Sequence, residues 1–286
     1  MSWQIPPDVA KRHAAFLPLG NHDVYFPIGS GRAKIIRRSQ KAGMSQFESA
    51  KEPSFGDTMH AEFSQRPNAA KPHAQQPVLT AGPPLVDAQC ALVMVHGRGA
   101  AAESILALYD ELNERLCAAF APQAAGHSWY PQSFLAPLQT NQPYLDSALD
   151  KLESLVAEIL ASGMHSDRIV LLGFSQGACL TLEYCATHPR VYGGIIRFTG
   201  GLIGTPRNYP GTLAGTPVFL GSPDPDPHVP FERVEETRDV LRAMGAEVEL
   251  RRYPGMPHSI NGDEFQAART MIRRAASLPP TREIRA

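Results

Sequence analysis

Three short runs, ALVMV (91–95), RIVLLG (168–173) and TPVFLG (216–221), are almost wholly apolar and rich in branched side chains. A strand with one face in water alternates polar and apolar residues, whereas a strand covered on both faces does not need to. AEVELRRY (246–253) alternates, and YGGIIRF (192–198) is a weaker strand candidate. Between the runs lie stretches with helical spacing. AESILALYDELNERLCAA places Ile105, Leu108, Leu112 and Leu116 on one stripe, and LDSALDKLESLVAEIL does so with Leu145, Leu149, Leu152, Val156 and Ile159. RVEETRDVLRAMG repeats the pattern with Val234, Val240 and Leu241 and stops at Gly245. Strand and helix alternate, so the expected class is α/β, a mostly parallel central sheet flanked by helices on both faces. Such sheets carry their ligand sites at the carboxyl ends of the strands.

The pattern does not extend over the whole chain of 286 residues. Residues 1–74 show no sustained period of 2 or 3.6 and read as a linker-like N-terminal extension. Met44 lies inside this extension and offers an alternative translation start. Residues 75–280 form the expected α/β domain, and 281–286 a tail. A formal net charge of −1 gives no reason to expect nucleic acid as a partner. Cys90, Cys117, Cys179 and Cys185 sit in apolar surroundings without metal-ligand spacing, so buried free thiols in a reducing compartment are expected and no metal or other cofactor is implied. The first residues lack the apolar core of a secretory signal, and no apolar run reaches the ~20 residues of a membrane span. The expectation is a soluble cytoplasmic protein with no stable membrane insertion.

Gly173-Phe174-Ser175-Gln176-Gly177 fits G-x-S-x-G directly between a buried strand and a helical run. A serine on so tight a strand-to-helix turn needs glycines two residues either side, where side chains would collide. Average Gly and Ser usage makes the pattern alone about a one-in-ten event in a chain of this size, and a helix cap would also explain the serine. A nucleophilic serine needs a histidine base and an orienting acid, in this topology following in the order Ser, Asp or Glu, His after later strands. SPDPDPHVP follows the TPVFLG run and offers Asp224 and Asp226; PGMPHSI follows AEVELRRY and offers His258. An oxyanion hole requires two backbone N–H groups, one from the residue after the nucleophile, Gln176, and one from the loop after an early strand. The ALVMV run ends in His96-Gly97-Arg98-Gly99-Ala100, which presents the Arg98 amide. His96 immediately precedes that turn and reads as structural. The Arg98 side chain is either solvated or directed at an anionic substrate group.

VMVHGRGA, GFSQGA, DPHVP and YPGMPHSI, taken together and in this order, resemble the phospholipase/carboxylesterase family of α/β-hydrolases, which includes acyl-protein thioesterases and small bacterial carboxylesterases. The resemblance runs from about His73 to Ile272. It implies an α/β-hydrolase fold, Ser175 as nucleophile, Asp226 at the D-P-x-V-P position as the triad acid, His258 as base, and the amides of Arg98 and Gln176 as the oxyanion hole. Asp224 is the fallback acid. HSWYPQSFLAPL (127–138) falls where the family places the wall of its acyl pocket, which nominates Trp129, Tyr130, Phe134 and Leu135 as lining. Thr199-Gly200-Gly201-Leu202 would close the same site. One residue departs from the pattern: Pro257 stands where glycine is expected before the catalytic histidine, and it restricts Met256 as well as itself.

The function expected is that of a cofactor-free serine hydrolase cleaving esters or thioesters of small soluble substrates through an acyl-serine; a homodimer is compatible with it. Two alternatives remain: a lysophospholipase or acyl-protein thioesterase acting on long acyl chains, and a non-catalytic binding protein of the same fold. The second would be expected to lack a triad member.

Overall fold

The structure, a computed structural model, describes residues 71–278. The expectations for residues 1–70, including Met44, and for the tail at 281–286 lie outside the described residues. Strands β1 (Val78–Ala81), β2 (Cys90–Val95), β3 (Cys117–Pro122), β4 (Ile169–Phe174), β5 (Gly194–Phe198), β6 (Pro217–Asp224) and β7 (Glu247–Pro254) build one sheet in the order β1-β3-β2-β4-β5-β6-β7. β1 runs antiparallel to β3, and every other pairing is parallel. Helices α1 (Ala102–Leu106), α2 (Leu108–Leu112), α3 (Tyr144–Ala161), α4 (Gln176–Thr187), α5 (Phe231–Ala243) and α6 (Gly262–Ala276) cover its two faces.

Alternate residues of each central strand supply the two cores. Val93, Leu171 and Ile195 pack with Leu152 and Val156 of α3, Leu180 of α4 and Leu241 of α5. Leu92, Leu172 and Ile196 pack on the other side with Ile105 of α1, Leu112 of α2 and Ile272 of α6. Because both faces are covered, every residue of β2, β4 and β5 is buried, which is why those segments lack alternation. Each fully buried Leu, Ile or Val contributes about 1.5–3 kcal/mol.

Two expectations fail together in one place. The helical stripe drawn through Leu116 ends early: Asn113 adopts the left-handed conformation (φ 54°), closing α2, and Leu116 is exposed. The following residues form β3 instead, an alanine-rich strand whose composition carries little β signal. β3 lies in parallel register with β2 so that Cys117 faces Cys90, with their Cα atoms 4.6 Å apart, and the two are joined by a disulfide. The expectation of four free thiols is therefore corrected for this pair, while Cys179 and Cys185 remain free and buried. The folded unit also takes in His73, two residues ahead of the expected boundary. It is fully buried, its backbone N–H donates to Ser147 Oγ (3.0 Å), and its ring bonds the Trp129 carbonyl and the Ala125 amide.

α6 opens on a capping box. The Asn261 side chain accepts from the amides of Asp263 and Glu264, and Glu264 accepts from the Asn261 amide at 2.9 Å. Glu264 is fully buried, and its second carboxyl oxygen has no partner among the described residues. Burial pushes its pKa up to about 7 against the opposing pull of the Asn261 amide and the Arg197 charge. An unfolded glutamate titrates near 4.3. Between the two values the folded chain holds a proton that the unfolded chain releases, so Glu264 costs stability increasingly as pH rises from about 4.5 to about 7.

Two predictions follow from these contacts. Glu264→Gln keeps the capping acceptor and removes the charge; urea unfolding should show the variant close to wild type at pH 4.5 and more stable by up to about 3 kcal/mol at pH 8. A pH-independent difference would contradict the assignment. A Cβ at Gly177 would overlap the carbonyl groups of Val95 and His96. Gly177→Ala should accordingly lower the unfolding free energy by about 2 kcal/mol or more in the same experiment.

Candidate active site

β4 delivers Ser175 to the carboxyl edge of the sheet on a turn that only a constrained chain adopts. Ser175 has φ 55° and ψ −120°, and its amide donates to the Phe198 carbonyl of β5 at 3.0 Å. α4 begins at the next residue. Gly173 and Gly177 permit this because a side chain on Gly173 would strike the Gly177 carbonyl, and one on Gly177 would strike the end of β2. Holding a residue at such φ/ψ requires surroundings that over-determine it, and here they are the ends of three strands.

The loop after β6 carries Asp226 and the loop after β7 carries His258. His258 Nδ1 lies 2.7 Å from Asp226 Oδ2, and His258 Nε2 lies 3.0 Å from Ser175 Oγ. The other oxygen, Asp226 Oδ1, accepts from the amides of His228 and Val229, both at 2.8 Å. The Asp226 side chain has no exposed surface and that of His258 only 11%. Burial alone would raise the Asp226 pKa, but the hydrogen bond and charge of His258, with the two amides, hold it below the usual carboxylate value. An ionised Asp226 accepts from Nδ1–H, which leaves Nε2 as the acceptor for the serine hydroxyl. Phe174 packs against the His258 ring at 5.2 Å between centroids, and His228 meets it edge-on at 5.0 Å. Pro257 does not prevent this pose. Asp224 is not in the relay: its carboxylate pairs with Arg252.

The two amides expected to form the oxyanion hole belong to Gln176, next to the serine in the chain, and to Arg98, in the loop after β2. Gln176 opens α4, so its N–H is one of the first-turn donors without an intrahelical acceptor. Gly97 brings the loop after β2 against the serine, since a Cβ there would sit 3.4 Å from Ser175 Cβ. His96, fully buried, serves that loop. Its Nε2 accepts from the Ala124 amide at 3.1 Å and its Nδ1 donates to the Gly97 carbonyl at 2.8 Å. Burial pushes its pKa down to about 4, partly opposed by the Gly97 carbonyl, so the ring stays neutral at physiological pH. The Arg98 side chain, though exposed, is anchored: it bonds Ser128, Pro131 and Gln132.

The residues nominated for the acyl pocket separate. Trp129 and Tyr130 are completely buried, and Trp129 uses its indole N–H to bond the His96 carbonyl at 2.9 Å. A side chain with no accessible surface cannot line an open cleft, so both belong to the scaffold beneath the loop. Phe134 lies at the boundary, packed toward Gly201, and its carbonyl accepts from the Gly204 amide at 2.7 Å. Leu135 is exposed. The 199–204 segment is fixed rather than loose: Gly201 donates to Cys179 Sγ, Leu202 donates to Thr237 Oγ1, and Ile203 donates to Glu183. Glu183, buried and anchored by Arg207 and Tyr209, is a polar support that no sequence signal disclosed. Among the described residues no cluster of three or more His, Cys, Asp or Glu could hold a metal ion, and no helix is long and apolar enough to cross a membrane.

A sequence profile of the family described as Phospholipase/Carboxylesterase matches residues 83–276. A crystal structure of a phospholipase/carboxylesterase from Dyadobacter fermentans superposes with a TM-score of 0.69 at 49% identity, covering 72% of this chain and all of that one. Among curated relatives, acyl-protein thioesterase 1 of Gibberella zeae is 31% identical over 133 residues, 44% of this chain and 55% of the relative. Carboxylesterase SOBER1 of Arabidopsis thaliana is 26% identical over 161 residues, 53% of this chain and 69% of the relative. The chain thus spans little more than half the length of the first of these. The architecture is the α/β-hydrolase fold, and the chain belongs to the phospholipase/carboxylesterase family.

Proposed function

We propose that the chain is a serine hydrolase that cleaves carboxylic esters or thioesters of small soluble substrates through an acyl-serine intermediate. The observation that carries this reading is the unbroken relay Ser175–His258–Asp226, with links of 3.0 and 2.7 Å, ending on a serine held at positive φ at the mouth of α4. His258 Nε2 takes the hydroxyl proton as Ser175 Oγ attacks the acyl carbonyl. The oxyanion that forms accepts from the amides of Arg98 and Gln176. The carbon–oxygen or carbon–sulfur bond then breaks as His258 returns the proton to the departing alcohol or thiol. Water, deprotonated by His258, attacks the acyl-serine and releases the carboxylic acid and free Ser175. Asp226 holds the imidazole in the required tautomer and stabilises the imidazolium; it does not itself accept the proton.

All the proposed catalytic groups come from one chain, so a homodimer would have no part in the chemistry. Small soluble esters are preferred because the apolar stripes of α3, α5 and α6 are packed into the two cores and not offered to a lipid surface. Long acyl chains are the competing reading, favoured by the likeness to acyl-protein thioesterase 1. A cytoplasmic location rested in part on free thiols, and the Cys90–Cys117 disulfide removes that support.

Steady-state hydrolysis of p-nitrophenyl esters from acetyl to palmitoyl tests the reading. Ser175→Ala and Asp226→Asn should each lower kcat by about 10³-fold or more, whereas Asp224→Asn should stay within about threefold of wild type. The rate should be greatest for the short esters. Equal losses at the two aspartates would undo the assignment of the acid, and a steady rise toward palmitoyl would favour the long-chain reading.

A further inference from the structure

The two amides assigned to the oxyanion hole belong to residues whose side chains grip the same short segment, residues 128–132. Arg98 Nη1 donates to Ser128 Oγ (3.1 Å) and to the Pro131 carbonyl (3.0 Å), and Nη2 donates to the Gln132 carbonyl (2.6 Å). The guanidinium also lies 5.8 Å from the centre of the Tyr130 ring. From the opposite side, Gln176 Oε1 accepts from the Trp129 amide (3.0 Å), while its Nε2 donates to the Tyr130 carbonyl (2.8 Å) and to Ser128 Oγ (3.3 Å). Ser128 in turn donates its one hydroxyl proton to the Tyr130 carbonyl at 3.0 Å. One proton and two lone pairs are thus all engaged, and the hydroxyl is the node at which the Arg98 and Gln176 side chains meet.

The two amides come from separate elements, the loop after β2 and the first turn of α4. The loop itself offers the Arg98 amide little lateral support: Arg98 is exposed and stands between Gly97 and Gly99, the latter at φ 74°. An oxyanion hole accelerates the reaction only if its donors already point at the position the charged oxygen will occupy. We propose that Ser128, with the backbone of 129–132, is a brace that fixes the Arg98 and Gln176 amides relative to each other. Ser128 is then a positioning residue for the transition state, although it lies outside the four motifs that hold the triad and the two amides. The inference rests on the serine-hydrolase reading above. Trp129 and Gly99 tie the brace to the rest of the loop, through the His96 carbonyl (2.9 Å) and the His127 carbonyl (2.7 Å).

A brace of this kind acts on kcat, because the tetrahedral oxyanion needs the fixed geometry more than the bound ester does. The test counts functional sites with a fluorophosphonate and expresses turnover of p-nitrophenyl acetate per labelled site, which removes any loss of folded protein. Ser128→Ala should lower kcat per site by about tenfold with KM within about twofold, and Ser128→Thr, which keeps the hydroxyl, should recover most of it. Arg98→Met should show the same signature and regain turnover with added guanidinium. Turnover per site within twofold of wild type in both Ser128→Ala and Arg98→Met would overturn the brace. A Ser175→Ala protein that is still labelled would instead remove the serine-hydrolase reading on which the brace depends.

Discussion

The close approach of Gly177 to the end of β2 governs the geometry of the whole edge. With no Cβ in the way, the first turn of α4 settles against the Val95 and His96 carbonyls, and Gly173 admits the same helix from below. Ser175 is thereby forced to φ 55° and ψ −120°, with its amide pinned to β5. The same contact brings the loop after β2, which carries the Arg98 amide, against the helix that carries the Gln176 amide. One steric fit between neighbouring parallel strands thus sets the serine and brings together the loop and the helix that carry the two amides proposed as oxyanion donors.

The histidines around this edge are sorted by their partners. His258 has an anionic carboxylate on one nitrogen and the serine hydroxyl on the other, the pairing a general base requires. His96 and His73 are each bonded through both ring nitrogens to backbone groups, and burial lowers the pKa of each. A neutral ring that accepts from one amide and donates to one carbonyl is a rigid strut. Asp226 differs from Asp224 in the same way. The first is buried with two backbone amides, so its charge is directed at His258; the second faces Arg252.

The parallel sheet was legible because strands covered on both faces must be apolar throughout, and β2, β4 and β6 carry that mark. Ser175, Asp226 and His258 were legible because chain order and strand ends restrict where such groups can lie, and the structure brings those three side chains into one hydrogen-bonded line. β3 was hidden: CAAFAP has the composition of a helix end, and only the left-handed turn at Asn113 separates it from α2. The Cys90–Cys117 disulfide was lost with it, since that pairing is a consequence of strand register and not of spacing in sequence. Trp129 and Tyr130 were misassigned to the pocket because an aromatic in a loop reads the same whether it faces a cleft or the core. The roles of Ser128 and Glu183 arise from contacts between segments far apart in the chain, which no local pattern encodes.

The central claim is that Ser175 Oγ carries the acyl group. Peptide mass spectrometry of wild-type protein after rapid acid quench of a reaction with p-nitrophenyl acetate tests it most directly. The account predicts an acetyl adduct on the peptide containing Ser175, with fragment ions that place it on the serine, disappearing as the substrate is exhausted. An adduct confined to another residue, formed and lost at the rate of turnover, would contradict it.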